Sequence, residues 1–371
     1  MQKRTILAAA ASVLLACSTL FSQNIKIGHY GSLTGAEATF GKSTSEGLKL
    51  AIEEFNASGG LNGKLIELVE YDTKGDPREA STVVTRLVTS DKVVAVIGEV
   101  ASSISLAGAP ICQANQVPMI SPSSTNPRVT LVGDYIFRVC FIDPFQGLVG
   151  AKFAREDIKA DTAAVLVDQN NAYSVGLAEQ FEKNFTQLGG KVVVTQSYSA
   201  GDSDFTPKLI AIRATNPKVI YVPGYYTDVA NIAIQARKLG ITAPLLGGDG
   251  WDSVKLTEIG GAAIEGSFFS NHASDQDPAM AAFVKKYEDI HGEAPDALAA
   301  LGYDAAFVLF NAMKRAPSLS GPDLRDALAS TKDFVGVTGT INFNATRDAV
   351  KPAVILEIKD GKPTFVKSIA P

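Results

Sequence analysis

The chain is poor in the residues from which metal, redox and hydrolytic sites are usually built. Three cysteines and three histidines in 371 residues are too few for a metal framework, and neither CxxC nor HxxxH spacing occurs. There is no GxSxG elbow, and Ser102 has no histidine at a telling position, so hydrolase chemistry has little support. His29, His272 and His291 fall in regions that would scatter across a fold. Each reads as a surface or internally satisfied histidine rather than a catalyst. A surplus of positive charge is also missing. A net charge of −5 supplies no basic field for nucleic acid or for an anionic membrane surface. The expectation is a protein without catalytic residues, metal or cofactor.

Residues 1–22 differ in kind from the rest. Lys3 and Arg4 precede an apolar run from Ile6 to Ala16, the pattern of an export signal, and the run is too short to span a bilayer. Leu14-Leu15-Ala16-Cys17 is similar to a bacterial lipobox, which would put lipid on Cys17. Ordinary cleavage nearer Ser22 is the alternative. No later segment could anchor the chain. Cys112 and Cys140 sit in apolar contexts and are expected to be buried free thiols.

What is present is an ordinary globular composition, 46% apolar and 20% charged, with material for two cores. From Asn24 short strands alternate with helices, the signature of α/β architecture. Two consecutive βα series make two parallel sheets, hence two lobes with a cleft between them. Hinges are expected near Asp143, Asn271 and Lys351. The division is then 24–142 plus 271–350 for the first lobe and 143–270 plus 351–371 for the second. Ser45–Ala57 is predicted as the first helix, with His29–Gly41 as a loop. From Gly35 to Ser43 the chain almost matches a phosphate-binding P-loop, but five residues separate the glycines where the motif has four. Ala164–Asp168 could pass for its partner strand, and the pairing is read as coincidence.

The stretch from Val93 to Pro127 organises the chain. Val93–Ile97 reads as a buried strand, Gly98 breaks it, and Ser102-Ser103 stand where helix caps are expected. A second strand, Val117–Ile120, ends in Ser121, Ser123, Ser124 and Thr125. Hydroxyls and free N–H groups therefore gather at strand carboxyl ends, where open parallel sheets bind ligands and where a helix N-terminus favours an anion. Three second-lobe strands end in Tyr173, in Tyr225-Tyr226 and in the Gly-Gly-Asp249-Gly turn, facing the same cleft. Serine donors, an aspartate and aromatics together suit a zwitterion.

IGEVASS followed by MISPSSTNP resembles the extracytoplasmic solute-binding proteins of branched-chain amino-acid ABC transporters, the leucine/isoleucine/valine-binding family of type I periplasmic binding proteins. The resemblance runs from about Asn24 to the end. It implies two Rossmann-like lobes joined by three hinge crossings. Ser102 would hold the ligand carboxylate, Ser123 and Ser124 would lay backbone against the ligand, and Thr125 would touch carboxylate and ammonium. Tyr173 and Tyr225 would close over the ligand, and Asp249 would hold the ammonium where the founding member has a glutamate. Phe40, Val100, Ala101 and Leu298 would line the side-chain pocket. The founding member's disulfide is absent, Gly75 and Ala101 occupying its positions. The implied function is capture of a small aliphatic amino acid by an exported monomer and delivery to membrane permease subunits. Urea, a short amide or an aromatic acid as cargo, or a ligand sensor without transport, remain as alternatives.

Overall fold

The computed structural model describes residues 24–371; the export-signal pattern and Cys17 lie outside them. Five strands form the first sheet: β1 (Ile25–Gly31), β2 (Ile66–Asp72), β3 (Val96–Ile97), β4 (Met119–Ser121) and β5 (Ile136–Arg138). Their order is β2-β1-β3-β4-β5 and every pair is parallel. Short strands of Val, Ile and Ala, buried on both faces, need helices on each side. Those are α1 (Ala38–Ala57), α2 (Pro77–Arg86) and α3 (Ser102–Ala114).

The chain then enters a second βα series through α4 (Asp143–Glu156). It continues with β6 (Thr162–Asp168), α5 (Ala172–Gln187), β7 (Lys191–Tyr198), α6 (Thr206–Ala214) and β8 (Val219–Tyr221). After them come α7 (Tyr226–Lys238), β9 (Leu245–Gly247), α8 (Val254–Gly260) and β10 (Phe268–Asn271). Helices α9 (Ala281–His291), α10 (Ala297–Arg315) and α11 (Gly321–Ala329) follow, with the hairpin β11 (Phe334–Gly336) and β12 (Gly339–Ile341). Leu301, Leu309, Leu324 and Ile341 from this segment share a core with Ile27 and Ile120 of the first sheet and Leu48 of α1. Finally β13 (Ala353–Lys359) and β14 (Lys362–Ile369) join the second sheet, ordered β14-β13-β10-β9-β8-β6-β7. Both pairings of β13 are antiparallel, so this sheet is parallel only up to β10. The chain thus passes between the sheets three times, after β5, after β10 and before β13.

Helix α1 begins seven positions earlier than its apolar periodicity predicts, so the P-loop-like residues Ala38–Ser43 form its first turns. The reason is its partner. A Cβ on Gly47 would fall 1.8 Å from the Ala299 carbonyl oxygen, and one on Gly302 would fall 2.4 Å from that of Thr44. Helices α1 and α10 meet backbone to backbone through small residues, a contact face with no apolar stripe to announce it. Ser102 is the first residue of α3 and Ala101 its cap, without a side-chain capping bond. The serines therefore occupy the first turn and not the cap. Cys112 and Cys140 are buried and free, and burial pushes both thiols up to about 12.

A buried ion pair fastens the crossings. Arg138, at the end of β5, has a fully buried side chain whose Nε lies 2.7 Å from Asp348 Oδ1, just before the third crossing. Arg138 also donates to the Ser124 carbonyl and, at 2.9 Å, to the Thr130 hydroxyl. Lys351 reaches back from the third crossing to the Val139 carbonyl on the first, at 3.4 Å. Replacing Arg138 with leucine should leave Asp348 buried without its partner and cost about 3–5 kcal/mol in urea unfolding. Adding Asp348→Leu should restore much of that loss; equal losses in the single and double variants would show that the ion pair is not the cause.

Candidate functional site

The two lobes are closed on each other, and the contacts that close them flank the predicted site. On one side the Ala172 N–H donates to Ser103 Oγ at 3.0 Å, and Asn126 Nδ2 donates to the Ala172 carbonyl at 2.7 Å. On the other, the Thr39 and Ser253 hydroxyls meet at 2.9 Å and Thr227 donates to the Ala36 carbonyl at 3.0 Å. The Ala297 N–H donates to Asp252 at 2.9 Å. These contacts bring the strand carboxyl ends of the two sheets toward each other.

The first-lobe wall of the site is a set of donors. The first N–H groups of α3, at Ser102 and Ser103, have no intrahelical acceptor by helix geometry and carry the partial positive charge of the helix end. Ser102 Oγ accepts the Asn126 N–H at 3.2 Å, which draws the Ser123–Thr125 loop onto the start of α3. The Ser124 hydroxyl is turned inward, bonded to the Glu99 and Val100 carbonyls at 2.8 Å each and to Ser105 Oγ at 2.7 Å. Its backbone is engaged as well, the N–H donating to Ser121 Oγ at 2.9 Å and the carbonyl accepting from Arg138. By contrast, Ser123 Oγ and Thr125 Oγ1 are buried with no protein partner. Unpaired buried hydroxyls cost about 1–3 kcal/mol each, so these two are groups a ligand could satisfy.

The second-lobe wall is aromatic. Tyr173 and Tyr225 stack with ring centroids 5.4 Å apart and planes 12° from parallel. Phe40 reaches from the first lobe edge-on to Tyr225 at 5.3 Å and Tyr226 at 5.0 Å. Leu298 is in the same apolar cluster as Phe40, with Val100 and Tyr225 packed against it; Ala101 belongs to an adjoining cluster that Tyr225 also touches. The glycines around Asp249 are there for close approach. A Cβ on Gly248 would meet the Tyr173 hydroxyl at 2.5 Å, and one on Gly250 would meet the Gly224 carbonyl and the Tyr225 ring at 2.8 Å. The Gly250 N–H donates to Tyr173 Oη at 3.1 Å, so the turn and the tyrosine hold each other. Trp251 beside it is wholly buried, its Nε1 donating to the Val222 carbonyl at 3.0 Å.

Asp249 is 6% exposed, and each of its oxygens already has one partner. Gln146 Nε2 donates to Oδ1 at 2.8 Å, and His272 Nε2 lies 3.0 Å from Oδ2. Neither Gln146 nor His272 is singled out by sequence; His272 carries only the expectation of a surface or internally satisfied residue. It is satisfied, but by the very carboxylate expected to meet a ligand. His29 and His291 stay apart from the site, in β1 and at the end of α9. Asp168 closes β6 and accepts the Asn170 N–H at 3.1 Å, and among the described residues no cluster of His, Cys, Asp or Glu could hold a metal ion.

Other buried acids border the cleft. Glu99 accepts the Ser32 N–H and hydroxyl, both at 2.8 Å, and burial lifts it to about 7 against those bonds. Asp143, wholly buried at the start of α4, has neither carboxyl oxygen paired; burial, opposed by Thr125 and reinforced by the Asp249 charge, raises it to about 8. A carboxyl whose folded value lies above its unfolded value favours folding at low pH and progressively less as pH rises between the two. Asp143→Asn should therefore raise the melting temperature more at pH 8 than at pH 5, measured by calorimetry; an equal gain at both would show that Asp143 does not carry that cost.

A periplasmic binding protein family model matches residues 24–363 of this chain. The leucine-, isoleucine-, valine-, threonine- and alanine-binding protein of Pseudomonas aeruginosa is 31% identical over 92% of each chain. Among solved structures, the leucine binding protein LivK of Thermotoga maritima is 41% identical with a TM-score of 0.91, covering 94% of this chain and 99% of its own. The branched-chain amino-acid transporter substrate binding protein LivJ of Streptococcus pneumoniae, in complex with isoleucine, is 34% identical with a TM-score of 0.89, covering 94% and 100%. The chain belongs to the periplasmic binding protein family, in the branch of the leucine/isoleucine/valine-binding proteins.

Proposed function

We propose that this protein is the substrate-binding component of an ABC importer. It takes a branched-chain or other aliphatic L-amino acid into the closed cleft and presents it, as a periplasmic monomer, to membrane permease subunits. One observation carries the reading: donors on one lobe and a carboxylate on the other stand at the junction of the closed lobes, with aromatic and aliphatic side chains beside them. The unpaired Ser123 and Thr125 hydroxyls and the start of α3 suit a carboxylate, and Asp249 suits an ammonium. Phe40, Leu298, Val100 and the Tyr173–Tyr225 pair supply apolar surface between them. The ligands named for its relatives are of this chemical class. The role needs no catalytic residue. A tether through lipid on Cys17 belongs to the same proposal, and the intact mass of the protein extracted from membranes tests it.

Protein unfolded and refolded to strip bound ligand should gain thermal stability from leucine, isoleucine or valine, by about 2.7 kcal/mol at a hundred times the dissociation constant. Asp249→Ala should weaken that binding by on the order of 2–5 kcal/mol, as loss of one member of a buried charge pair does. Stabilisation only by amine-free acids, urea or amides would overturn the zwitterion reading while leaving the family in place.

A further inference from the structure

We propose that His272 is a positioning residue for amino-acid binding: it aims the Asp249 carboxylate at the ligand's ammonium and ties that carboxylate to the hinge. The inference rests on the ligand class proposed above. His272 directly follows β10, on the second crossing, and its side chain is fully buried. Its Nε2 lies 3.0 Å from Asp249 Oδ2. Its ring lies on Phe141 with centroids 3.9 Å apart, and Phe141 belongs to the first crossing. Gln146, near the start of α4, holds the other oxygen and also donates to Ser270 of β10 at 3.1 Å. Asp249 sits on a short turn between two glycines. These contacts, not the turn, set where its oxygens point.

The chemistry follows from lone pairs and charge. A carboxylate offers about four acceptor sites; Gln146 and His272 take one on each oxygen, leaving the others for an ammonium. For His272 to donate, the imidazole is the Nε2–H tautomer, and Nδ1, which has no partner, is the bare nitrogen. Burial holds the imidazole below its usual value, with Asp249 pulling the other way. The charged groups facing it are Asp249 from the turn after β9 and Lys351 from the third crossing. Behind Asp249 stand Asp143 of α4 and Asp252. A proton added to His272 places a second positive charge on the same carboxylate as the ligand's ammonium. Proton uptake there and amino-acid uptake therefore oppose each other, each by the same factor.

Calorimetric titration with L-leucine tests this on the wild type, His272→Ala, His272→Gln, Asp249→Ala and the double Ala variant. His272→Ala should weaken leucine binding roughly 10- to 100-fold, the effect of losing a hydrogen bond to a charged group. His272→Gln, whose amide nitrogen can stand near the place of Nε2, should bind within about fivefold of wild type. It should also show a shallower decline in affinity than wild type as pH falls below about 6.5, the side on which burial places the imidazole. The double variant should bind no more weakly than Asp249→Ala alone, because His272 acts through Asp249. Full additivity, or an unchanged pH slope in His272→Gln, would overturn the proposal. A ligand-free check uses the few histidines of the chain: in Asp249→Asn the NMR titration midpoint of His272 should fall, and an unmoved midpoint would also overturn it. If the wild type binds no leucine, the functional reading fails on its own, and the NMR titration still decides the His272–Asp249 pair.

Discussion

The first turn of α3 and the Asp249 turn belong to different lobes, and a zwitterion can reach both only when the lobes are together. The groups that join the lobes directly are modest: Ser103 and Asn126 to Ala172, Thr39 to Ser253, Thr227 to Ala36. Each such hydrogen bond contributes about 0.5–1.5 kcal/mol net, an amount that lost conformational freedom largely offsets. A ligand that bonds to both walls shifts the open–closed balance by its differential affinity for the closed form, and by no more than that.

Electrostatics at the cleft mouth lean against closure. Glu37 opens α1 on the first lobe, next to the Ala36 carbonyl that meets Thr227; Asp228 follows Thr227 on the second. Burial raises Glu37 to about 8, with Glu99, Asp228 and Asp168 adding to it; burial likewise raises Asp228 to about 6. Like charges brought into one place each resist ionisation. The closed state is therefore held by the pairing of opposite walls at its centre against the cost of burying and protonating Glu37 at the rim, a balance suited to a protein that must both capture and release.

Much of this was legible in the chain. The apolar runs Val93–Ile97 and Val117–Ile120 announced parallel strands, because strand period and turn chemistry are local, and the structure keeps Val96–Ile97 and Met119–Ser121 of them. Phe40, Tyr173, Tyr225 and Leu298 do gather in the closed cleft. What escaped depends on tertiary contact. The start of α1 was hidden because its packing face is Gly41, Thr44 and Gly47 rather than an apolar stripe. The antiparallel pairing of β13 and the helix α8 leave no periodic trace. Gln146 and His272 were invisible as site residues because their role comes from one contact each with Asp249, more than 20 positions away in sequence. Arg138, which clamps the Ser124 carbonyl and Asp348, reads as an unremarkable charge until three crossings are brought side by side.

The most direct test of the account is small-angle X-ray scattering of the refolded, ligand-stripped protein with and without saturating L-leucine. The radius of gyration should fall on addition and the scattering should approach that of the closed form described here, because the ligand bridges the two walls. A radius already at the closed value without ligand, or one that leucine binding leaves unchanged, would contradict ligand-driven closure as the basis of function.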